Sequence, residues 1–516
     1  MNLYKNIEWL QKKGWVEKAD STLFNNLMFK YKNNLSIDET TEFKARKIIC
    51  KKYLDKIIDY DVERKWVDIP LIKTELKQHQ KRDVRMIEKF KGRCLIGEGM
   101  GSGKTLTSIT FVLKHTLLPL LVICPASIKY NWKNEFEKHT HFKGKIVVID
   151  GEKWSKGIKE DDIESAVFII NYDLVDKWQK FLTSIEWSCC ILDEIHKIKS
   201  YKSKRTQIVR KITKPIPYIL TLSGTPIPNR VIELFTTLNI VRPDLYPNPF
   251  KFGYTYHQDY CPPELWATNR ARTKDLDKLY VNLKETLLVR SDIKLDIPDK
   301  NRIFVPFDVK LGDNYERARE EYIALHNISN RKLKNIEEDI VRLYGFMKGI
   351  AVQARKKQSY AWIKDKAEEC DKLVIFCWYH EVVEELKALF KPEEVIVISG
   401  EVDSKKRQKD IDAFQTNPNI KICIGTIGAC AEGITLTAAH NLVFMETTYV
   451  PALIQQAEAR ICRISQTKEQ NIYYLVSKNT VEEDIMGMLD NKQITIGLAL
   501  DGTYTQDEEL WGKNIK

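Results

Sequence analysis

The sequence lacks paired cysteine motifs, long apolar runs and low-complexity tracts, and each absence excludes a class of protein. No CxxC pair occurs among its 11 scattered cysteines, which argues against a zinc ribbon or a thioredoxin-like motif and favours buried thiols in a reducing compartment. No run approaches the roughly 18 apolar residues of a membrane-spanning helix, and Met1–Asp20 has no apolar core of a secretory signal. We therefore expect an intracellular protein, cytoplasmic or nuclear, that does not enter a membrane.

Charge and length are typical of a globular protein with more than one domain. Its 516 residues exceed what one compact core organises, so two or three domains are expected. Hydrophobic residues make up 43% and charged residues 30%, as in a folded protein. Lys plus Arg number 82 against 71 Asp plus Glu, a net charge of +11 that favours polyanionic partners. On charge alone, a basic protein without a nucleic-acid partner fits equally well.

Short apolar, β-branched runs alternate with longer helical stretches along most of the chain. The runs that predict buried strands are Arg93–Gly97, Leu120–Cys124, Lys145–Asp150, Ala166–Asn171, Ser188–Asp193 and Tyr218–Leu222, then a second series, Lys372–Cys377, Val395–Ser399, Lys421–Gly425, Asn441–Glu446 and Asn471–Ser477. Strands spaced by helices predict parallel sheets covered on both faces. The predicted fold class is therefore α/β, with two doubly wound parallel-sheet lobes.

A domain plan follows from these two series. The stretch between Lys310 and Gln358 is rich in Glu, Lys, Arg and Leu and predicts long helices, as do the first 65 residues. The expected segments are a helical N-terminal extension (1–70), a first lobe (71–300), a helical insertion (301–358), a second lobe (359–502) and a C-terminal tail (503–516).

A glycine-rich turn between a predicted strand and a predicted helix carries the first chemical signal. Its backbone N–H groups and the helix N-terminus favour phosphate oxygens, while Lys104 is suited to the β- and γ-phosphates and Thr105 to Mg²⁺. The loop residues expected to hold the nucleotide are Gly99, Met100, Gly101, Ser102 and Gly103. Glu98 occupies the first glycine position of the usual GxxxxGK[ST] spacing. The competing interpretation is a glycine-rich turn with a chance lysine.

An apolar strand ends in two carboxylates about 90 residues after this loop. Asp193 is placed to hold Mg²⁺, and Glu194 to orient or deprotonate an attacking water. The alternative is a solvated acidic strand end. His196 either links the nucleotide to the next motif or caps the turn. After the following strand, the hydroxyls of Ser223 and Thr225 suit a hydrogen-bonded relay, although such a segment alone is more often an ordinary turn.

Two arginines near the C-terminal end of the second series suggest a second contact with phosphate. Arg460 and Arg463 are spaced i and i+3, which predicts one helix face. From that face they would meet the γ-phosphate as arginine fingers, which raise hydrolysis rates on the order of 10³–10⁵-fold. The alternative is a solvated basic face.

Taken in order, these segments resemble the Swi/Snf family of DNA-dependent ATPases, within helicase superfamily two. The resemblance extends over roughly Leu76–Gly502. The segments that carry it are Leu76–Val84, Gly97–Thr105, Cys124–Trp132, Ile170–Tyr172, Asp193–His196, Ser223–Pro226, Leu287–Ile293 with Ile297–Lys300, Ala431–Thr437 and Gln456–Gln466. The stretch from Leu287 to Lys300 is similar to one that most other members of the superfamily lack.

The resemblance implies two RecA-like lobes of a P-loop NTPase with ATP and Mg²⁺ as cofactors. It implies that Gln80 reads the adenine, that Gly433 contacts the nucleotide and that Gln456 belongs to the catalytic set. It assigns nucleic-acid contact or coupling to Ser127, Asn131, Trp132, His196, Ser223, Thr225 and Thr426. The expected partner is duplex or branched DNA, gripped by its backbone and therefore independently of sequence.

The segment Lys372–His380 and the compact layout favour the annealing-helicase, HARP-like branch of that family. Several positions depart from the family pattern: Glu98 and Gly99 stand where Asp and Glu are usual, and Ala459, Cys462 and Ser465 where Asp, His and Gly are usual. The departure at Ala459 bears on coupling between the lobes rather than on phosphate chemistry.

Two other functions remain open on the sequence. One is an RNA helicase or single-strand-unwinding helicase of the same superfamily, against which the Leu287–Lys300 stretch argues. The other is a catalytically silent DNA-binding scaffold, against which the intact Lys104, Glu194 and Arg463 argue. The basic stretch Lys197–Lys214 fits a phosphate-binding surface and a solvated helix face equally well.

Overall fold

The computed structural model of the protein describes residues 3–53, 68–151, 163–256, 275–290, 300–327, 334–399, 404–430, 434–463 and 466–502. Two compact units make up the chain. The first comprises Met1–Ile293 together with Thr495–Thr503, and the second comprises Lys294–Ile494 with Tyr504–Lys516.

Helices of the first unit surround its sheet and form a small N-terminal bundle. In chain order they are α1 (Leu3–Lys12), α2 (Lys18–Lys32), α3 (Glu39–Ile48), α4 (Gln78–Lys89), α5 (Lys104–Lys114), α6 (Lys129–His139), α7 (Gln179–Ser184), α8 (Lys204–Thr213), α9 (Phe235–Val241), α10 (Pro249–Tyr256) and α11 (Leu276–Thr286). The bundle packs around the buried Ile7, Phe24 and Leu27. Arg46 of α3 joins it to α11 through an ion pair with Glu285 at 3.0 Å.

Seven parallel strands form the first sheet, in the order β3-β4-β2-β5-β6-β1-β7. They are β1 (Arg93–Ile96), β2 (Leu120–Cys124), β3 (Ile146–Val148), β4 (Val167–Asn171), β5 (Cys189–Asp193), β6 (Tyr218–Leu222) and β7 (Leu288–Val289). Alternate residues feed two cores, one on each face, as a helix-covered parallel sheet requires. Because β1, β6 and β5 are neighbours, the loops after them emerge side by side at the carboxyl edge.

Six parallel strands form the sheet of the second unit, in the order β10-β11-β9-β12-β13-β8. They are β8 (Lys300–Phe307), β9 (Leu373–Cys377), β10 (Val395–Ile398), β11 (Ile422–Thr426), β12 (Asn441–Phe444) and β13 (Gln470–Ser477). Its helices are α12 (Asp313–Asn327), α13 (Lys334–Glu369), α14 (His380–Lys387), α15 (Ser404–Thr416), α16 (Ile427–Cys430), α17 (Pro451–Glu458) and α18 (Val481–Leu500).

The predicted fold class, two doubly wound parallel-sheet lobes, is confirmed, and every predicted strand is present within two residues of its expected bounds. Two details of the domain plan are wrong. The expected helical insertion begins with strand β8, which pairs with β13 over Lys300–Phe307. Residues Thr495–Thr503 belong to the first unit, although the sequence assigned residues up to 502 to the second lobe. Within the described residues, no helix is both long and apolar enough to cross a membrane.

Candidate functional site

The glycine-rich loop between β1 and α5 adopts a backbone that only glycine readily supplies. Gly101 and Gly103 have φ of 80° and 82°, in the left-handed region where a side chain is strained. A β-carbon on Gly103 would also lie 2.4 Å from Gln80 Nε2. The loop therefore turns tightly enough for the following N–H groups to converge at the N-terminus of α5, as an anion site requires.

Lys104, the first residue of α5, directs its side chain back along this loop. Its Nζ donates to the carbonyl oxygens of Glu98 at 3.0 Å and Gly99 at 2.9 Å. Burial lowers the pKa of Lys104, while the nearby Glu194 and Asp193 carboxylates favour its charged form. The ammonium thus lies on the inner side of the loop, close to two acidic side chains.

The first turn of α4 attaches to the same loop. Gln80 accepts a hydrogen bond from the Lys77 N–H at 3.0 Å and donates from Nε2 to the Gly103 carbonyl at 3.4 Å. His79 Nε2 lies 2.8 Å from the Ser102 carbonyl oxygen. Sequence reasoning singled out Gln80 but missed His79, whose contact depends on how α4 packs.

The acidic pair lies at the carboxyl end of β5, two strands from the loop. Burial, reinforced by the neighbouring Glu194, raises the pKa of Asp193 to about 6. Its Oδ1 accepts from the Glu194 N–H at 2.9 Å, its Oδ2 from the Trp132 indole at 2.8 Å, and its carbonyl oxygen from the Tyr172 hydroxyl at 2.9 Å. Glu194 has φ of 47°, and such strain in a residue other than glycine is characteristic of functional sites. The Nδ1 atom of His196 lies 3.3 Å from Glu194 Oε2.

The loop after β6 lies between these two groups. The Thr225 N–H donates to Ser223 Oγ at 3.1 Å, and the Ser223 N–H to the carbonyl of Ile96 at the end of β1. A β-carbon on Gly224 would lie 2.6 Å from Met100 and 3.7 Å from Lys104 Nζ. The structure therefore brings the predicted hydroxyl motif against the phosphate loop.

The predicted nucleic-acid segment before and within α6 divides into two sides. Ser127 and Asn131 are exposed, as a contact surface requires. Trp132 is 1% exposed and donates to Asp193. Of the two roles expected for Trp132, direct contact with phosphate is therefore wrong, because the i, i+4 pair of Trp132 and Phe136 forms the buried face of the helix, whereas coupling stays a prediction.

Most of the basic stretch after β5 is engaged within its own unit. Lys199 pairs with Glu233 at 2.8 Å, and Arg210 donates to Asn239 at 2.9 Å. Lys204 and Arg205 pair with Asp176 and Asp173. These contacts favour the structural interpretation of the stretch over a phosphate-binding surface.

In the second unit, the arginine pair is brought together by a turn rather than by a helix. Helix α17 ends at Glu458, so the prediction that Arg460 and Arg463 share a helix face is wrong. Both side chains donate to the Ile434 carbonyl, at 3.1 and 2.9 Å, and Arg463 also donates to Thr435 Oγ1 at 2.5 Å. The two guanidiniums therefore still converge on one short segment.

The remaining predicted residues of the second unit have varied settings. Thr426 ends β11 at the carboxyl edge of the sheet, where its hydroxyl accepts from the Ala429 N–H at 3.4 Å. Gln456 is 3% exposed within α17. Gly433 lies outside the described residues.

Sequence reasoning missed a charged cluster beside the arginine turn. Glu458 is 1% exposed and binds Arg302 at 2.7 Å and Lys300 at 2.8 Å. Burial opposes its ionisation, but these two cations outweigh burial and hold the pKa of Glu458 below its usual range. The cluster fixes the end of α17 to strand β8. No local sequence pattern predicts it, because its members are far apart in the chain.

Two family models match the chain. The SNF2-related domain matches residues 79–358, more than half of the chain, and the helicase conserved C-terminal domain matches residues 356–465. The first match includes the phosphate loop and the acidic pair, and the second includes Arg460 and Arg463.

Curated relatives are similar at low identity. A SWI/SNF-related matrix-associated actin-dependent regulator of chromatin subfamily A-like protein 1 homolog from Caenorhabditis elegans is 27% identical over 85% of this chain and 64% of its own length. The human DNA annealing helicase and endonuclease ZRANB3 is 26% identical over 89% of this chain and 43% of its own length. The chain thus spans about half the length of these relatives. The Sulfolobus solfataricus SWI2/SNF2 ATPase core in complex with dsDNA is 24% identical, with a TM-score of 0.41, over 86% of this chain and 96% of that one.

Proposed function

The chain belongs to the SNF2-related family, and on that premise we propose that it is a DNA-dependent ATPase that uses ATP hydrolysis to move along duplex or branched DNA. Relatives in that family are named as DNA annealing helicases and chromatin regulators. The proposal includes an intracellular location, where its DNA and a reducing environment are both found.

The observation that carries this proposal is the convergence of three loops at one edge of the first sheet. Lys104 follows β1, the Ser223–Thr225 loop follows β6, and Asp193 with Glu194 ends β5. Because these strands are neighbours, a lysine, two hydroxyls and two carboxylates lie together at a helix N-terminus. This combination suits phosphoryl transfer, in which catalysis is mainly positioning and charge stabilisation.

The oxygen donors at this edge fit Mg²⁺. Asp193 supplies a buried carboxylate and Thr105 a hydroxyl at the start of α5, and Mg²⁺ is commonly held by one or two carboxylates with phosphate and water completing the shell. Among the described residues, no three or more His, Cys, Asp or Glu side chains are placed so that they could hold a metal ion together, so a cage made of protein alone is not the basis of the proposal. When bound, the ion would neutralise charge on the transferred phosphoryl group.

Each of the other residues has a role in the proposed chemistry. Glu194 orients the attacking water and takes its proton, and its strained backbone fixes the carboxylate at the strand end. Lys104 neutralises the β- and γ-phosphates, while Gln80 selects the adenine. Arg460 and Arg463 stabilise the charge that develops on the γ-phosphate.

We assign DNA contact to the exposed Ser127 and Asn131 in the first unit, and coupling to the buried Thr426 in the second. Hydroxyl and amide groups bind phosphate oxygens without reading base sequence. The grip is therefore expected to be independent of sequence and to weaken as salt rises.

Phosphate release by the purified chain tests this function. Rates are compared with duplex, forked and single-stranded DNA and with RNA, beside a strand-displacement assay. We expect duplex or forked DNA to stimulate hydrolysis with little strand separation, and Glu194→Gln to lower the stimulated rate about 10²–10⁴-fold.

Glu186→Gln, an exposed carboxylate of the same unit, is the matched control and should retain the wild-type rate. Stimulation by RNA alone would instead identify an RNA helicase. Undiminished hydrolysis by Glu194→Gln would disprove the catalytic assignment, and inertness toward every polynucleotide would disprove the function.

A further inference from the structure

Trp132 is the side chain that connects α6 to the acidic end of β5. Its Nε1 donates to Asp193 Oδ2 at 2.8 Å, and it is 1% exposed. A buried indole needs a partner for its N–H, and a carboxylate makes that bond stronger than a neutral acceptor does. The sequence separation is 61 residues, so the contact exists only because β2, which leads into α6, lies beside β5.

Apart from Trp132, few groups orient the Asp193 carboxylate. Its Oδ1 accepts from the Glu194 backbone N–H at 2.9 Å, and the Tyr172 hydroxyl binds the main-chain carbonyl instead. Within the described part of the chain, Trp132 supplies the side-chain hydrogen bond that sets the rotation of this carboxylate. Small rotations matter because Mg²⁺ demands near-ideal octahedral geometry.

The same short segment also reaches the protein surface. Ser127, Tyr130 and Asn131 are exposed, whereas the adjacent Trp132 points inward. Tyr130 and Lys129 are both bonded to Asp150, which fixes the N-terminal end of α6 beside β3. A polynucleotide bound to the exposed side would therefore act on a helix whose next residue holds the Asp193 carboxylate.

We propose that Trp132 is a positioning residue that transmits nucleic-acid binding on α6 to the metal-binding carboxylate of Asp193. The inference rests on the proposed function, and it specifies how polynucleotide binding regulates that same site. Packing alone does not require it, because phenylalanine would fill most of the same volume in the core formed with Phe136 and Cys124.

Trp132→Phe removes the N–H donor and is compared with Trp187→Phe. Trp187 is 4% exposed in the same unit, and its indole donates to the Leu182 carbonyl at 2.7 Å, at the opposite end of β5 from the acidic pair. The readout is the affinity for a fluorescent, non-hydrolysable ATP analogue, with Mg²⁺ or with EDTA, and with or without duplex DNA.

In the wild type, Mg²⁺ should tighten binding and duplex DNA should tighten the Mg²⁺-bound form further. For Trp132→Phe we expect the Mg²⁺-dependent gain to fall about tenfold, the magnitude of a lost hydrogen bond to a charged group, and the DNA-linked gain to disappear. Its affinity in EDTA should stay within about twofold of wild type, because the phosphate loop itself is intact. Trp187→Phe should keep both gains.

Benzothienylalanine at position 132 separates the donor from the packing, since sulfur replaces the N–H in a ring of the same shape. The inference is supported if the benzothienylalanine variant unfolds at the wild-type temperature but loses both the Mg²⁺-dependent and the DNA-linked gain in affinity for the ATP analogue. Retention of both gains by this variant or by Trp132→Phe overturns it, as does an equal loss in Trp187→Phe. If the wild-type chain binds the ATP analogue more tightly with Mg²⁺ but no polynucleotide changes that affinity, the proposed function is overturned, and the transmission role with it.

Discussion

Arg290 is joined to Asp501, 211 positions further along the chain, by two hydrogen bonds of 2.6 and 3.0 Å. The third nitrogen of the same guanidinium donates to the Gly97 carbonyl at 2.7 Å. Both partners belong to the first unit, which includes Thr495–Thr503. One side chain therefore holds the residue that begins the phosphate loop and a residue just after α18.

Asp501→Asn should destabilise the first unit and weaken nucleotide binding together. It leaves a partly buried guanidinium without its charged partner, at a cost of about 1–3 kcal/mol, and loosens the group that anchors Gly97. Thermal unfolding and ATP-analogue binding measure the two effects. Asp371→Asn is the control, because its pair with Lys468 is exposed and contributes about 0–1 kcal/mol. Equal effects of the two substitutions would contradict the prediction.

Asp83 should make stability depend on pH in the direction opposite to an ordinary carboxylate. Burial, reinforced by Glu98, raises the pKa of Asp83 to about 8. Arg82 contacts both carboxyls, at 3.4 and 3.5 Å, without reversing this shift. A carboxyl whose pKa is higher folded than unfolded stabilises most below its unfolded pKa of about 4, and that stability is lost as pH rises toward 8.

The substitution that tests this is Asp83→Asn, which keeps the side chain neutral at every pH. Its unfolding free energy, relative to wild type, should rise by roughly 1–3 kcal/mol between pH 5 and pH 8. Asp38→Asn should change stability with pH in the opposite direction. A hydrogen bond from Thr41 lowers the pKa of Asp38, so this variant should be less stable than the wild type above the unfolded pKa of the carboxyl. Denaturant titrations at several pH values measure both slopes. A constant difference for Asp83→Asn would disprove the prediction.

Arg355 and Glu482 form a fully buried ion pair in the second unit. The guanidinium makes two bonds of 2.9 Å to the carboxylate and a third to the Met445 carbonyl at 2.6 Å. Arg355→Met should cost about 3–5 kcal/mol because it leaves Glu482 charged and buried. Arg355→Met with Glu482→Leu should be less damaging than the single change, which denaturant unfolding of the two variants and the wild type will determine. A double variant that is as unstable as Arg355→Met, or less stable, would contradict the prediction.

The sequence predicts the strands well and the contacts between distant residues poorly, for a physical reason. Buried parallel strands such as Leu120–Cys124 are continuous apolar runs, so each is visible locally. Strand β8 is not predicted by the apolar pattern, because it is a half-exposed edge strand that contains Pro306, a residue that edge strands tolerate. The phosphate loop was likewise predictable, since glycine, lysine and threonine are adjacent.

The partners of individual side chains could not be predicted from the sequence, because they depend on the order of the strands in the sheet. The motif predicts nucleic-acid contact or coupling for Trp132, and contact is excluded because the side chain faces inward, where β2 and β5 are neighbours. The i, i+3 spacing predicts a shared helix face for the arginine pair, but α17 ends at Glu458, whose carboxylate is bound to β8. In each case the deciding contact comes from a segment far away in the chain.

Gly103→Ala should impair nucleotide binding beyond its cost in backbone strain. Gly103 and Gly14 both have left-handed backbones, with φ of 82° and 66°, so alanine at either should cost about 1–2 kcal/mol of stability. At Gly103 the new methyl would also lie 2.4 Å from Gln80 Nε2, whereas at Gly14 nothing lies within 4 Å. We therefore expect Gly103→Ala to displace Gln80 and weaken ATP-analogue binding about tenfold or more, while Gly14→Ala binds like the wild type. Wild-type affinity in Gly103→Ala would show that the loop tolerates the change and that Gln80 does not have to lie against it.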